Sequence, residues 1–160
     1  MSLPAGSVYG LIVAGLLPAM VAGTAIFVSG QKGAEQTIIE IEKAALTRWG
    51  HGDPDGYIEI AAEDITYFDP ERDVRLDGLK AYREYLAPIR GKIHVPRFEM
   101  TNPKVQLHGD SGILSFNLVD YSEEGKVTSR WNSTEVYHRI QGEWKLVHSH
   151  WSFTRPQLKD

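Results

Sequence analysis

Apolar and polar positions along the chain fall into three successive regimes. Val8 to Val28 (VYGLIVAGLLPAMVAGTAIFV) is nearly unbroken apolar sequence, and no charged side chain precedes Lys32. A helix of about 20 apolar residues spans a bilayer. Residues 1–31 therefore read as a hydrophobic leader: a transmembrane anchor over 8–28, or a signal peptide cleaved near Gly23-Thr24-Ala25 or Val28-Ser29-Gly30. The anchor fits the length better, and the Lys/Arg-rich start of a signal peptide is missing. The rest of the chain is expected to be membrane-anchored or exported. Lys32, Glu35, Glu40 and Glu42 mix both signs just after the span and leave the side of the membrane open.

The second regime has helical spacing. Lys32 to Ala34 is expected to be a short linker, followed by an amphipathic helix from Glu35 to Trp49 in which Ile38, Ile41, Ala45, Leu46 and Trp49 recur every three or four residues. Gly50 and Gly52 end it. Asp53-Pro54 offers an N-cap and a first-turn proline for a short helix through Tyr57, Ile58 and Ala61. Ile65 to Phe68 reads as a strand closed by Asp69-Pro70, and Val74 to Leu76 returns from the turn. Asp77 is expected to cap a third helix, Leu79 to Ala87, with Leu79, Tyr82 and Leu86 as its apolar stripe and Pro88 as its stop.

From Pro96 onward the period is two. Pro96–Thr101, Lys104–Leu107, Ile113–Tyr121, Val127–Arg139 and Trp144–Phe153 are strand-like runs, separated by turn signals at Asn102-Pro103, Gly109-Asp110, Glu124-Gly125 and Gln141-Gly142. Helices first and a meander afterwards describe an α+β domain, with three N-terminal helices on one side of a curved, mainly antiparallel sheet. Alternation puts Trp131, Ser133, Glu135 and Tyr137 on one face of the fourth run, and Trp144, Leu146, His148 and His150 on one face of the fifth. A sheet face with Glu, Ser and two His among aromatics reads as the floor of a polar-decorated pocket. Leu114, Phe116 and Leu118 make the other face partly apolar as well, and a second subunit is the economical cover for it: a homodimer through the sheet's outer face.

Composition narrows the function classes. Residues 32–160 have the length of one domain. A net charge of -4 and a pI near 5.9, with both signs interspersed, leave no basic stripe for a nucleic acid. The absence of cysteine excludes disulfides, thiolate chemistry and Cys-ligated zinc.

Three groups carry the candidate chemistry. Asp69 before Pro70 makes a turn in the bland reading; in the sharp one it is a base at the pocket mouth, its pKa raised by Tyr67 and Trp131. Glu135, mid-strand and facing the pocket, is costly to bury unpaired. It should meet Arg83, meet a histidine, or be protonated. His148 and His150 could hold a metal only with Glu135 or Asp69 as third ligand; a proton relay or hydrogen bonds to a ligand are the commoner use, and no metal or cofactor is assigned. Trp49, Tyr57, Tyr82, Trp131 and Trp144 serve as core, with two or three free to line a cavity.

The order helix, Gly-Asp-x-x-x-Tyr, strand, Asp-Pro, x-Asp-Gly, helix with Tyr-Arg, and strands ending in Trp-x-x-x-His-x-His-x-Ser resembles the nuclear transport factor 2-like superfamily. The stretches that carry it are Gly52 to Tyr57, Ile65 to Pro70, Leu76 to Arg83, Asn102 to Gly109 and Thr134 to Ser152. Within that superfamily the chain is similar to the association domain of calcium/calmodulin-dependent protein kinase II and to SnoaL-like proteins, over about residues 35 to 153. The resemblance implies a cystatin-like cone with a pocket between the long first helix and the sheet, and dimer contacts on the sheet. It implies pocket arginines that bind small carboxylates, of which one falls on Arg83 while the others fall on Asn117 and Glu135. Likeness to ketosteroid isomerase implies Asp69 as proton-shuttling base; the oxyanion tyrosine falls on Ala45 and the second oxyanion acid on Glu135. Only Arg83 of the arginines is kept, and half of the isomerase constellation is missing.

These readings converge on a dimeric domain that binds a small organic molecule, with Asp69, Glu135 and His150 as candidate catalytic residues and Tyr57, Tyr67, Arg83, Asn117, Trp131, Ser133 and His148 as candidate ligand contacts. An enzyme that takes a proton next to a carbonyl with Asp69 as base, and a non-catalytic oligomerisation hub, are the alternatives; whether the chain is an enzyme is left open.

Overall fold

The computed structural model describes residues 22–154. The first helix, α1, runs Ala22–Gly50 without a break. The expected linker at residues 32–34 is therefore helical, and the boundary drawn at residue 31 falls inside a helix. One glycine in a helix interior costs only ~1 kcal/mol. Thr37 Oγ1 donates to the Gly33 carbonyl at 2.8 Å, and Gln36 donates to Glu40 at 2.9 Å one turn on. The apolar segment 8–28 lies outside the described residues apart from the helical backbone of 22–28. Among the described residues no helix is long and apolar enough to cross a membrane.

A tight turn through Gly52 (φ 78°) leads to α2, Asp55–Ile60. Arg48 bridges the corner, reaching Asp53 and Glu59 at 2.6 Å each, and Asp53 Oδ1 accepts the Asp55 N–H at 3.0 Å. Strand β1, Ala61–Phe68, follows directly, then the short β2, Leu76–Asp77, and α3, Leu79–Leu86. Asp77 does not cap α3. It is held by Arg75 Nε at 2.6 Å, and the capping position falls to Gly78, whose φ of 87° is one that glycine alone adopts easily.

The remaining strands are β3, Arg97–His108, β4, Ser111–Tyr121, β5, Val127–Ile140, and β6, Glu143–Phe153. The sheet order is β2-β1-β6-β5-β4-β3, antiparallel throughout except for the parallel pair β1 and β6, so the sheet is mixed. The two runs expected on either side of Asn102-Pro103 are one strand. Asn102 adopts φ 52°, and the β3–β4 register slips between Thr101 and Lys104: the pair makes a bulge instead of a turn. An edge strand tolerates the missing proline N–H.

A second bulge changes the faces of β6. Val136 pairs with His148 and Tyr137 pairs with Leu146, which leaves Val147 as the extra residue. Before it Trp144 and Leu146 point to the inner face; after it Ser149, Trp151 and Phe153 do, opposite Glu135, Ser133 and Trp131. His148 and His150 thus turn to the outer face, opposite Val136 and Thr134. Leu114, Phe116 and Leu118 pair with Glu135, Ser133 and Trp131 and are buried on the inner face. The apolar outer face inferred from them is replaced by Ser115, Asn117, Asn132 and Thr134, with Ile113, Val119 and Val136 between.

The core lies between the inner face and the helices, with Ile38, Leu46, Ile58, Ile65, Leu86, Leu114 and Leu146 among its members. Helix α1 approaches β4 so closely that a Cβ on Gly112 would stand 2.5 Å from Ile38 Cδ1. A glycine at that position is what lets Ile38 reach complete burial.

Candidate functional site

One end of this interior is not filled. A cavity of about 330 Å³ opens between α1, α3 and the inner sheet face, at the lower end of the range typical of small-molecule sites. Tyr57, Tyr67, Tyr82 and Tyr85 form one side of it, and Trp49, Trp131 and Trp151 contribute the indoles. The segment after α3 closes it with Ile89, Ile93 and Val95. Spacing explains the helical contributions. Tyr82 and Leu86 are one turn apart on the buried stripe of α3, with Tyr85 flanking them.

Two carboxylates stand in the wall. Asp69, just past the end of β1, has both oxygens engaged: Oδ2 accepts the Tyr85 hydroxyl at 2.8 Å and Oδ1 accepts the Glu71 N–H at 2.8 Å. Asp120 on β4 is 8% exposed, and its Oδ2 accepts Ser129 Oγ at 2.5 Å and Trp131 Nε1 at 2.9 Å. Burial and the hydrogen bond to Asp69 push Tyr85 up to about 12, so it stays a donor. Glu71 lines the rim, and no lysine or arginine is among the lining residues.

Deeper in, a second acidic cluster lies beneath Tyr57. Glu42 on α1 accepts the hydroxyls of Tyr57 at 2.7 Å and of Tyr137 at 2.5 Å. Glu135 Oε1 accepts Ser133 Oγ at 2.6 Å and Ser149 Oγ at 3.2 Å, while Oε2 is buried with no partner. Both carboxyls are fully buried. Burial, and then the neighbouring charge of Glu42, raise the Glu135 pKa well above the carboxylate range. Burial raises Glu42 to about 7 against the lowering effect of its two tyrosine bonds. Desolvation wins because a buried carboxylate without a cation is far costlier than a neutral acid.

The structure divides the expected site residues. Asp69, Tyr57, Tyr67 and Trp131 line the cavity; Ser133 and Glu135 sit beneath it, joined to Ser149. Arg83 is exposed on α3, beside the buried stripe and not on it, so neither Glu135 nor the cavity meets it. Asn117 donates to Asn132 at 2.9 Å on the outer face. His148 accepts or donates with Thr66 Oγ1 at 2.8 Å, and His150 packs by Phe68, also on the outer face. Burial, then the charges of His150 and Arg75, lower the His148 pKa. The sheet separates the imidazoles from Glu135, and among the described residues no three His, Asp or Glu side chains are placed to hold a metal.

Asp120, Trp151, Tyr85, Glu42 and Ser149 were missed by sequence reasoning. Asp120 shares the parity of Leu114, Phe116 and Leu118, and Glu42 stands between Ile38 and Leu46 on the helical stripe, so both positions were readable from spacing. Ser149 and Trp151 were hidden by the bulge at Val147.

The sequence pattern of the calcium/calmodulin dependent protein kinase II association domain matches residues 34–155. The chain belongs to that association-domain family. The delta subunit of calcium/calmodulin-dependent protein kinase type II from Oryctolagus cuniculus is 29% identical over 125 residues, 74% of this chain and 24% of the relative, so this chain spans about a quarter of that subunit's length. Among solved structures, a candidate ketosteroid isomerase from Parabacteroides distasonis is 36% identical with a TM-score of 0.67, covering 74% of this chain and 86% of its own. The association domain of the C. elegans kinase is 23% identical with a TM-score of 0.64, covering 77% and 98%. A nuclear transport factor 2-like protein from Pseudomonas putida (24% identical, TM-score 0.67, covering 80% and 93%) agrees in fold. The domain has the nuclear transport factor 2-like, cystatin-like α+β fold.

Proposed function

We propose that this is a self-associating association-family domain whose cavity binds a small organic molecule, with Asp69, Asp120, Tyr57, Tyr67 and Trp131 as its contacts. The observation that carries the reading is the cavity of about 330 Å³ that the protein's own side chains leave between helices and sheet, with two hydrogen-bonded carboxylates in an aromatic wall. A site of that size and make-up is costly to maintain in a small core unless something occupies it. Self-association is supported by the family to which the chain belongs and by the outer sheet face, which the helices leave free. The apolar segment 8–28 is proposed to hold the domain at a membrane or to direct its export. The test is native mass spectrometry of the full chain purified from its own membranes: a stoichiometric small molecule released on denaturation is the expected result, and a clean apo mass at every oligomeric state would refute the binding role.

A second reading is favoured by one specific observation, the position of Asp69 at the cavity wall, together with the likeness to the candidate ketosteroid isomerase. In it Asp69 takes a proton next to a carbonyl, and Tyr85, whose hydroxyl bonds Asp69 Oδ2, orients the base. Asp69→Asn would then abolish turnover of a ketone substrate by at least about a hundredfold, and unchanged turnover would exclude it.

A further inference from the structure

The cavity wall has a charge bias that the association-domain reading does not account for. Its charged members are Asp69, Glu71 and Asp120, its remaining surface is mostly aromatic, and no basic side chain is among the lining residues. An anionic ligand would therefore enter beside carboxylates that no basic side chain of the lining offsets. A cation would meet the faces of indole and phenol rings, whose quadrupoles attract positive charge, and carboxylates that can accept from an ammonium. The chain already uses one of these rings in that way at the rim: the Arg72 guanidinium stands 4.8 Å over Tyr85.

We propose that the ligand is an organic cation, an ammonium on a flat apolar body, with the charge between Asp69 and Asp120 and the body against Trp131 and Trp151. This rests on the small-molecule reading above and adds the sign of the charge. Ring faces favour the cation over a neutral isostere by about tenfold in a partly desolvated site, and the two carboxylates widen the gap against an anion.

Three of the four tryptophans, Trp49, Trp131 and Trp151, line the cavity, so tryptophan fluorescence of the full chain reports its occupancy. The experiment titrates 2-phenylethylammonium, 2-phenylethanol and phenylacetate, three probes of one size and three charges. The expected order is ammonium tightest by about tenfold, alcohol next, phenylacetate weakest. Asp69→Asn and Asp120→Asn, which keep an acceptor oxygen for Tyr85 and for Ser129 and Trp131, should each shrink the ammonium-to-alcohol ratio by about threefold or more. Should a variant fail to fold, the wild type in high salt supplies the same comparison, because screening should weaken the ammonium and spare the alcohol. Equal binding of ammonium and alcohol, or tighter binding of phenylacetate, overturns the cation assignment and leaves the cavity's binding role standing. Failure of all three probes to alter the fluorescence at millimolar concentration overturns both.

Discussion

Glu42 and Glu135 set the most exact expectation at the scale of a residue, because their burial has a sign. Both carboxyls titrate higher in the folded chain than the ordinary value of 4.5, Glu42 at about 7 and Glu135 well above its usual range. Between pH about 4.5 and 7 the folded chain holds protons that the unfolded chain has released, and the stability they support is lost as pH rises through that window. Each group contributes at most ~1.4 kcal/mol per pH unit. The surface carboxylates Asp53, Glu59 and Asp77, held low by Arg48 and Arg75, lose their favourable term only on acidification below the window. The urea midpoint should therefore fall from pH 5 to pH 8. Glu135→Gln keeps the acceptor for Ser133 and Ser149 and cannot ionise, so it should flatten that fall and be the more stable protein at pH 8. An unchanged slope in the variant would mean that Glu135 is ionised at no cost, against its buried, unpartnered Oε2.

At the scale of elements, the contact between α1 and β4 is the tightest approach at any glycine among the described residues. Gly112→Ala would bring a methyl group to 2.5 Å from Ile38 Cδ1, and overpacking of that kind costs about 1–3 kcal/mol. Ile38→Val removes the offending atom and alone costs about 0.5–1.5 kcal/mol. The double variant should be more stable than the two separate losses add up to, by at least about 0.5 kcal/mol in a denaturation cycle. Additivity within error would show that α1 shifts to absorb the methyl. The elements also explain how far the sequence could be read. Period-two alternation held along β5, where Ser133, Glu135 and Tyr137 are all buried, and along β4, where it was assigned to the wrong side because no strand pairing was known. It failed in β6 at Val147, where the bulge adds one residue with no composition signal of its own, and in β3 at Asn102-Pro103, where the bulge carries the same residues as a turn. The helical stripe on α1 was legible; its continuation through Lys32-Gly33-Ala34 was not, because glycine there meets no neighbour within 4 Å and costs too little to end a long helix. The candidate site inherits both outcomes. Asp69, Tyr57, Tyr67 and Trp131 came from turns and unbulged alternation, whereas the imidazoles were placed inward by a parity that Val147 reverses.

For the whole molecule, the division of the sheet decides what each face can do. The inner face is committed to the helices, the acidic cluster and the cavity, so the proposed self-association would have to use the outer face of β4, β5 and β6. That face is built from Ser115, Asn117, Asn132 and Thr134 around Ile113, Val119 and Val136, the mixed composition of an interface that is not greasy enough to aggregate when uncovered. In an interface with twofold symmetry every residue occurs twice, so one added charge opposes its own copy. Asn132 and Thr134 are exposed on β5 and touch nothing in the core. Asn132→Asp with Thr134→Asp should therefore reduce the sedimenting mass towards that of the single 17.9 kDa chain. It should leave the far-ultraviolet circular dichroism unchanged and, because the cavity opens on the opposite face, leave probe binding unchanged as well. Assembly that survives both carboxylates would move the contact off the sheet, and binding that disappears with assembly would mean that the cavity needs the second copy to hold its shape.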